Sequence, residues 1–188
     1  MDGGVLAQQG IHYVDLLIYL FGDPNKCISL ISNKVNKLQA EDTHVSLISF
    51  KKKGLSCTVN MSTAFRPRDF EASIKIYCKE KIINLAGLCC NTISIDKLFK
   101  KKISKSNILR NFSEKVPSGY GLSHRKVFQE IIDYEYKKKT KPLKAYQTLS
   151  TIKLINMMYK SFDENRWVYF KEKKIISKLG KWKIKKKI

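Results

Sequence analysis

Gln8, His12 and Asp15 are the residues of this chain whose types and spacing invite chemistry. They follow the glycines Gly3 and Gly4, straddle Gly10, and lead into the apolar run that ends at Phe21. On a helix begun by Gln8, His12 stands four residues on along the same face, and Asp15 joins them three further on. Polar side chains at the start of an otherwise apolar helix read as a site before they read as packing, because desolvating them without partners is costly. Imidazole takes or holds a proton near neutral pH, so His12 suits general acid or base work on a bound substrate. A lone histidine on an apolar helix is usually a satisfied core residue; the position after the glycines and beside Gln8 favours the catalytic role. Asp15 fits an orienting or capping group better than a base.

The elements that must position these groups can be read in order. A first helix runs from about Gly10 to Phe21, apolar on nearly all sides after Tyr13 as for a helix packed between layers, and Gly22-Asp23-Pro24 ends it. Cys27 to Val35 reads as a strand and Asn36 to Glu41 as a connector. Asp42 to Phe50 alternates, with His44, Ile48 and Phe50 opposite Val45 and Leu47; Lys51 to Gly54 is a hairpin loop, and Leu55 to Ser62 returns with one apolar and one hydroxylated face. Phe70 to Lys79 and Ile82 to Ala86 pair about a turn, and Thr92 to Asp96 adds a strand. Lys97 to Ser118 is a long connection with an edge strand around Ile108 to Phe112. One helix from Leu122 carries Val127, Phe128, Ile131 and Ile132, and another from about Ala145 to Phe162 carries Leu149, Ile152, Ile155 and Tyr159 on a stripe. Val168 to Phe170 adds a short strand. The sum is an α+β fold: an open, mainly antiparallel mixed sheet with helices on one face, over residues 1–170, followed by a basic, loosely held tail at 171–188.

The stretch Gly3 to Leu17 resembles the motif that opens the C-terminal domain of the glucose-fructose oxidoreductase / inositol dehydrogenase (Gfo/Idh/MocA) family. His12 matches that family's active-site histidine, and Gln8 stands where the family most often carries a carboxylate or asparagine. Glu41-Asp42-Thr43, read as structural, Arg66-Pro67-Arg68-Asp69-Phe70-Glu71-Ala72 and Gly119-Tyr120-Gly121 with His124 extend the resemblance in consistent order to about Phe170. It implies a catalytic His12 and substrate contacts from Gln8, Arg66, Tyr120 and His124. Arg66 could meet phosphate or carboxylate through its guanidinium fork, or pair on the surface with Asp69 and Glu71. His124 faces substrate or is a surface residue of a helix start, with equal weight.

The same resemblance implies NAD- or NADP-dependent oxidation or reduction of a sugar or nucleotide sugar, and homo-oligomerisation through the sheet. Family members bind the dinucleotide in a preceding Rossmann domain, and with Met1 almost directly before the glycines that domain is expected to be absent. The sequence holds no Gly-x-Gly-x-x-Gly turn. The chain alone is therefore expected to be inactive unless a separately encoded Rossmann domain completes it. A non-catalytic remnant that oligomerises through its sheet is the alternative.

A net charge of +21 raises nucleic acid as a partner, but only five of the 37 basic residues are arginine, the preferred reader of bases and phosphates. The lysines cluster where turns and chain ends are expected, so a solvated surface accounts for them better. Cys27, Cys57, Cys78, Cys89 and Cys90 lack C-x-x-C spacing and read as free thiols of a reducing compartment, with no metal. The run from Val14 to Phe21 is too short to span a bilayer. A cytoplasmic protein with no membrane contact is expected.

Overall fold

The structure, a computed structural model, describes residues 3–36, 38–52, 54–65, 72–87, 89–97, 115–116, 121–137 and 141–177. The chain divides into two units, residues 1–67 with 144–188, and residues 68–143.

In the first unit a π-helical turn, Leu6–Gly10, runs directly into α1, Ile11–Phe21. Gly22 stops α1 at a φ of +77°, and its N–H closes on Ile18 O at 2.8 Å. Strands β1 (Pro24–Ser32), β2 (Thr43–Phe50), β3 (Ser56–Ser62) and β7 (Val168–Tyr169) form one antiparallel sheet in the order β3-β2-β1-β7. A 3-10 turn, Ala145–Thr148, leads into α3, Leu149–Glu164. In the second unit β4 (Ile74–Tyr77), β5 (Lys81–Ala86) and β6 (Thr92–Lys97) make a separate antiparallel sheet, and α2 spans Ser123–Lys137. The α+β class with open antiparallel pairing is borne out; the described strands fall into two sheets rather than one. The edge strand expected at Ile108 to Phe112 lies outside the described residues.

The period-2 pattern of β2 decides which face is covered. His44, Ser46, Ile48 and Phe50 are buried with Cys27 and Ser29 of β1 and Val59 of β3, while Leu30, Val45 and Leu47 point outward and stay exposed. α3 covers the buried face through Leu154, Ile155, Met157, Met158 and Tyr159. Ser161 stitches the layers, its Oγ accepting from Ser29 N–H and donating to Arg166 O at 2.7 Å.

Four expectations change. The stripe Leu149, Ile152, Ile155 and Tyr159 is not one face: steps of three drift around a 3.6-residue helix, and Leu149 and Ile152 are exposed while Thr151, Leu154, Ile155 and Met158 turn inward. α1 is not enclosed either, for Val14 and Leu17 are buried but Tyr19 is 83% exposed. β1 ends at Ser32 rather than Val35, because Asp42 Oδ2 accepts from the N–H groups of Val35 and Asn36 at 2.9 and 2.8 Å and holds them in a turn. Residues 171–177 are not loose. The nearly buried Lys160 donates to Glu172 Oε2 and to Lys174 O, and Ser177 Oγ hydrogen-bonds Asn156 Oδ1. Arg166 completes that clasp, its guanidinium holding Glu172 well below the usual carboxylate range.

Gly10 closes the π-helical turn against β3. A Cβ there would lie 2.4 Å from Met61 Sδ. Gly10→Ala is expected to cost about 1–3 kcal/mol of unfolding free energy, and Met61→Ala in the same chain to recover part of that cost. Urea denaturation of the double-mutant cycle checks it; strict additivity would refute the contact.

Candidate functional site

Gly3 and Gly4 enter the helical segment over a carboxylate. The Glu41 carbonyl accepts from Val5 N–H at 3.1 Å, and its Oε1 accepts from Leu6 N–H at 3.0 Å and from Tyr159 Oη–H at 2.6 Å. A negative group there satisfies otherwise orphaned amides and complements the helix dipole. Gly4 is glycine because Glu41 occupies the space: a Cβ would lie 1.8 Å from Oε2. Burial first and Glu41 second push the Tyr159 phenol well above its ordinary value, so it stays a donor.

Beside this anchor a cleft of about 460 Å³ opens between Gly3, Gly4, Val5, Gln8, Asn36, Leu38, Glu41 and Thr63. Its wall is braced, since Asn36 Nδ2 donates to Thr63 O at 3.1 Å. Gln8, on the π-helical turn, is exposed and reaches this cleft. His12 is exposed on the first turn of α1 and does not line it. Asp15 is half-buried, and its Oδ1 accepts from Thr151 Oγ1 at 2.6 Å, which ties α1 to α3. Among the described residues no side-chain hydrogen bond joins Gln8, His12 and Asp15 to one another. His124 lies exposed at the start of α2, in the second unit. Arg66 and Tyr120 fall outside the described residues.

Tyr159, on an apolar stripe by sequence, holds the Glu41 carboxylate, and Gly4 marks a close approach to it. The signal available was the pairing of Gly-Gly with a distant Glu-Asp-Thr. His44 is a structural histidine, fully buried, hydrogen-bonded to Ser46 Oγ and edge-on to the Tyr159 ring.

The described residues do not fit a dinucleotide. All their strand pairs are antiparallel, and no strand–glycine turn–helix unit presents amides to a pyrophosphate. Among them no three His, Cys, Asp or Glu side chains gather as a metal site. Among the described residues no helix is long and apolar enough to cross a membrane.

Comparison with known structures finds the same fold. At 23% identity and a TM-score of 0.77, 89% of the chain matches 48% of the WlbA dehydrogenase from Bordetella pertussis, solved in complex with NADH and UDP-GlcNAcA. At 23% identity and a TM-score of 0.74, 90% matches 46% of the WlbA dehydrogenase from Chromobacterium violaceum, solved with the same two ligands. An oxidoreductase from Agrobacterium radiobacter, solved with NAD+, L-tartaric acid and magnesium, matches at 18% identity and a TM-score of 0.64, over 90% of this chain and 50% of that one. The chain thus spans about half the length of these structures. No curated protein sequence matches it. Residues 1–170 match the model of the oxidoreductase family's C-terminal α/β domain, and the chain accordingly belongs to the Gfo/Idh/MocA oxidoreductase family.

Proposed function

We propose that residues 1–170 form the substrate-binding and oligomerisation domain of an NAD(P)-dependent oxidoreductase acting on a nucleotide-linked sugar, in the cytoplasm. The observation that carries this reading is the exposed pair Gln8 and His12 near the start of the span matched by the family model, in a fold shared with dehydrogenases solved with a nucleotide sugar. In this role His12 accepts or returns the proton of the substrate hydroxyl through its imidazole, and Gln8 hydrogen-bonds a neighbouring hydroxyl from the cleft side. Arg66, Tyr120 and His124 are the further substrate contacts proposed. Asp15 supports the helix from behind through Thr151. The nicotinamide-bearing half of the site comes from residues outside the 188, in the same or another polypeptide.

The outer sheet face supports self-association. Leu30 pairs with Val45, and Leu47 stands one register step away, so their exposed side chains form an apolar strip beside Thr58 and Asn60. The free thiols Cys27, Cys57, Cys78 and Cys89 suit the reducing cytosol.

Calorimetric titration of the 188-residue chain with UDP-GlcNAcA and, separately, NADH tests the assignment. The nucleotide sugar is expected to bind and NADH alone not to. His12→Ala should weaken nucleotide-sugar binding up to about tenfold, the upper end of what one hydrogen bond contributes. Failure to bind the nucleotide sugar, or unaltered affinity in His12→Ala, would leave a remnant that associates through its sheet as the better description.

A further inference from the structure

Cys89 and Cys90 are neighbours in the connection between β5 and β6, inside the closing pair Ala86 and Thr92. Within a strand, adjacent side chains point to opposite faces and could not share one ligand. Here that alternation is broken. Cys90 takes a φ of +54°, a left-handed conformation that residues other than Gly, Asn and Asp seldom visit. Among the described non-glycine residues only Asn165 shares it. Cys89 is held from one side, since a Cβ on Gly121 would lie 3.1 Å from its Sγ, and its N–H donates to Asn91 Oδ1 at 3.4 Å.

Both side chains are half-buried, and neither cysteine is in a disulfide. A bond between the two sulfurs is disfavoured, because adjacent Cα atoms stand about 3.8 Å apart and a disulfide usually spans at least about 4.4 Å. A larger atom inserted between the sulfurs escapes that constraint. Among the described residues no third His, Cys, Asp or Glu joins the pair as a metal site. Cys78 follows β4 at the opposite end of β5, a six-residue strand whose rise of about 3.4 Å per residue puts roughly 17 Å between the two turns. A ligand for this pair must therefore be soft, take two thiolates and bring its remaining substituent with it. Structural zinc, which takes four protein ligands, does not meet that description. Trivalent arsenic carrying one organic group does.

We propose that Cys89 and Cys90 form a two-thiol site for a soft, thiophilic electrophile of the monosubstituted trivalent arsenical class, R–As=O. Two As–S bonds form, the As=O bond breaks, and the two thiol protons leave with that oxygen as one water. No electron is transferred. The second As–S bond closes within the chain, so the pair outcompetes single thiols through its effective concentration. The remaining thiols offer only one sulfur each, and burial pushes that of Cys27 up to about 12 and raises that of Cys57.

Native mass spectrometry and thiol titration of the full chain with phenylarsine oxide test this. One adduct per chain is expected at stoichiometric reagent, with two thiols consumed and one water lost, and an added small dithiol should strip it. Cys89→Ser and Cys90→Ser should each weaken binding about 100-fold, whereas Cys57→Ser and Cys78→Ser should leave it unchanged. Cys90→Gly separates chemistry from folding, because glycine suits the left-handed backbone. That variant should unfold at no lower urea concentration than the parent and still lose the adduct. Undiminished binding in Cys90→Gly, loss of the adduct in Cys78→Ser, or a parent chain that binds no more tightly than a small monothiol would each overturn the assignment.

Discussion

Gly4→Ala is expected to lower the unfolding free energy by about 3–5 kcal/mol, the combined cost of overpacking and of parting buried hydrogen bonds. The added methyl would sit 1.8 Å from Glu41 Oε2 and 1.9 Å from its carboxyl carbon. That carboxylate cannot swing aside without releasing both Leu6 N–H and the Tyr159 hydroxyl. Gly54→Ala is the informative contrast. Gly54, unlike Gly4, has a positive φ, +78°, and a Cβ there meets nothing within 4 Å among the described residues. Only the left-handed backbone is penalised, at about 1–2 kcal/mol. Urea unfolding of the two variants should separate them clearly at similar m-values. Equal losses would show that the carboxylate gives way to the added methyl and that the Glu41 contact does not require glycine at position 4.

Mild acid should destabilise the first unit through His44. Burial pushes its pKa down from 6.5 to about 4, and its Nδ1 has no hydrogen-bond partner among the described residues, so a proton there finds no compensation. The unfolded imidazole protonates near 6.5 and the folded one only near 4. Between those values the unfolded state binds more protons, so stability is complete above pH 6.5 and falls as pH drops toward 4. The total is about 3 kcal/mol. Glu172, with its pKa depressed by Arg166, loses its contribution only below its ordinary value of 4.5, so the decline from 6.5 to 4.5 reports mainly on His44. Equilibrium unfolding across that range, repeated on His44→Gln, checks this. The variant should be less stable at neutral pH and should lose most of the slope, and an undiminished slope would refute the assignment.

Period and punctuation made much of the fold legible in advance. β2 could be read residue by residue, because alternating burial is a local consequence of the strand's two-residue repeat. The ends of α1 and of the β2–β3 hairpin followed from Gly22 and from Lys51 to Gly54, where glycine relieves a backbone constraint that any sequence must meet. α3 was harder. Its apolar residues are spread over more than one face, so which ones turn inward depends on where β1 and β7 lie. Residues 171–177 are held for a related reason: Lys160, Arg166 and Glu172 become a clasp only when α3 and the chain after β7 come together, while residues 178–188 of the expected loose tail lie outside the described residues.

For the candidate site the division runs between residue type and residue geometry. The order of motifs determined the family and singled out Gln8 and His12, because those residue types after paired glycines are chemically distinctive wherever they occur. Only the tertiary structure decided that Gln8 reaches the cleft while His12 stands clear of it, that Asp15 is bound to Thr151, and that the helix begins on Glu41. Each of these depends on contacts between residues more than thirty positions apart, and short-range periodicity carries no information about them. A π-helical turn is likewise invisible to a 3.6-residue reading, since it exists only where distant packing offsets its cost.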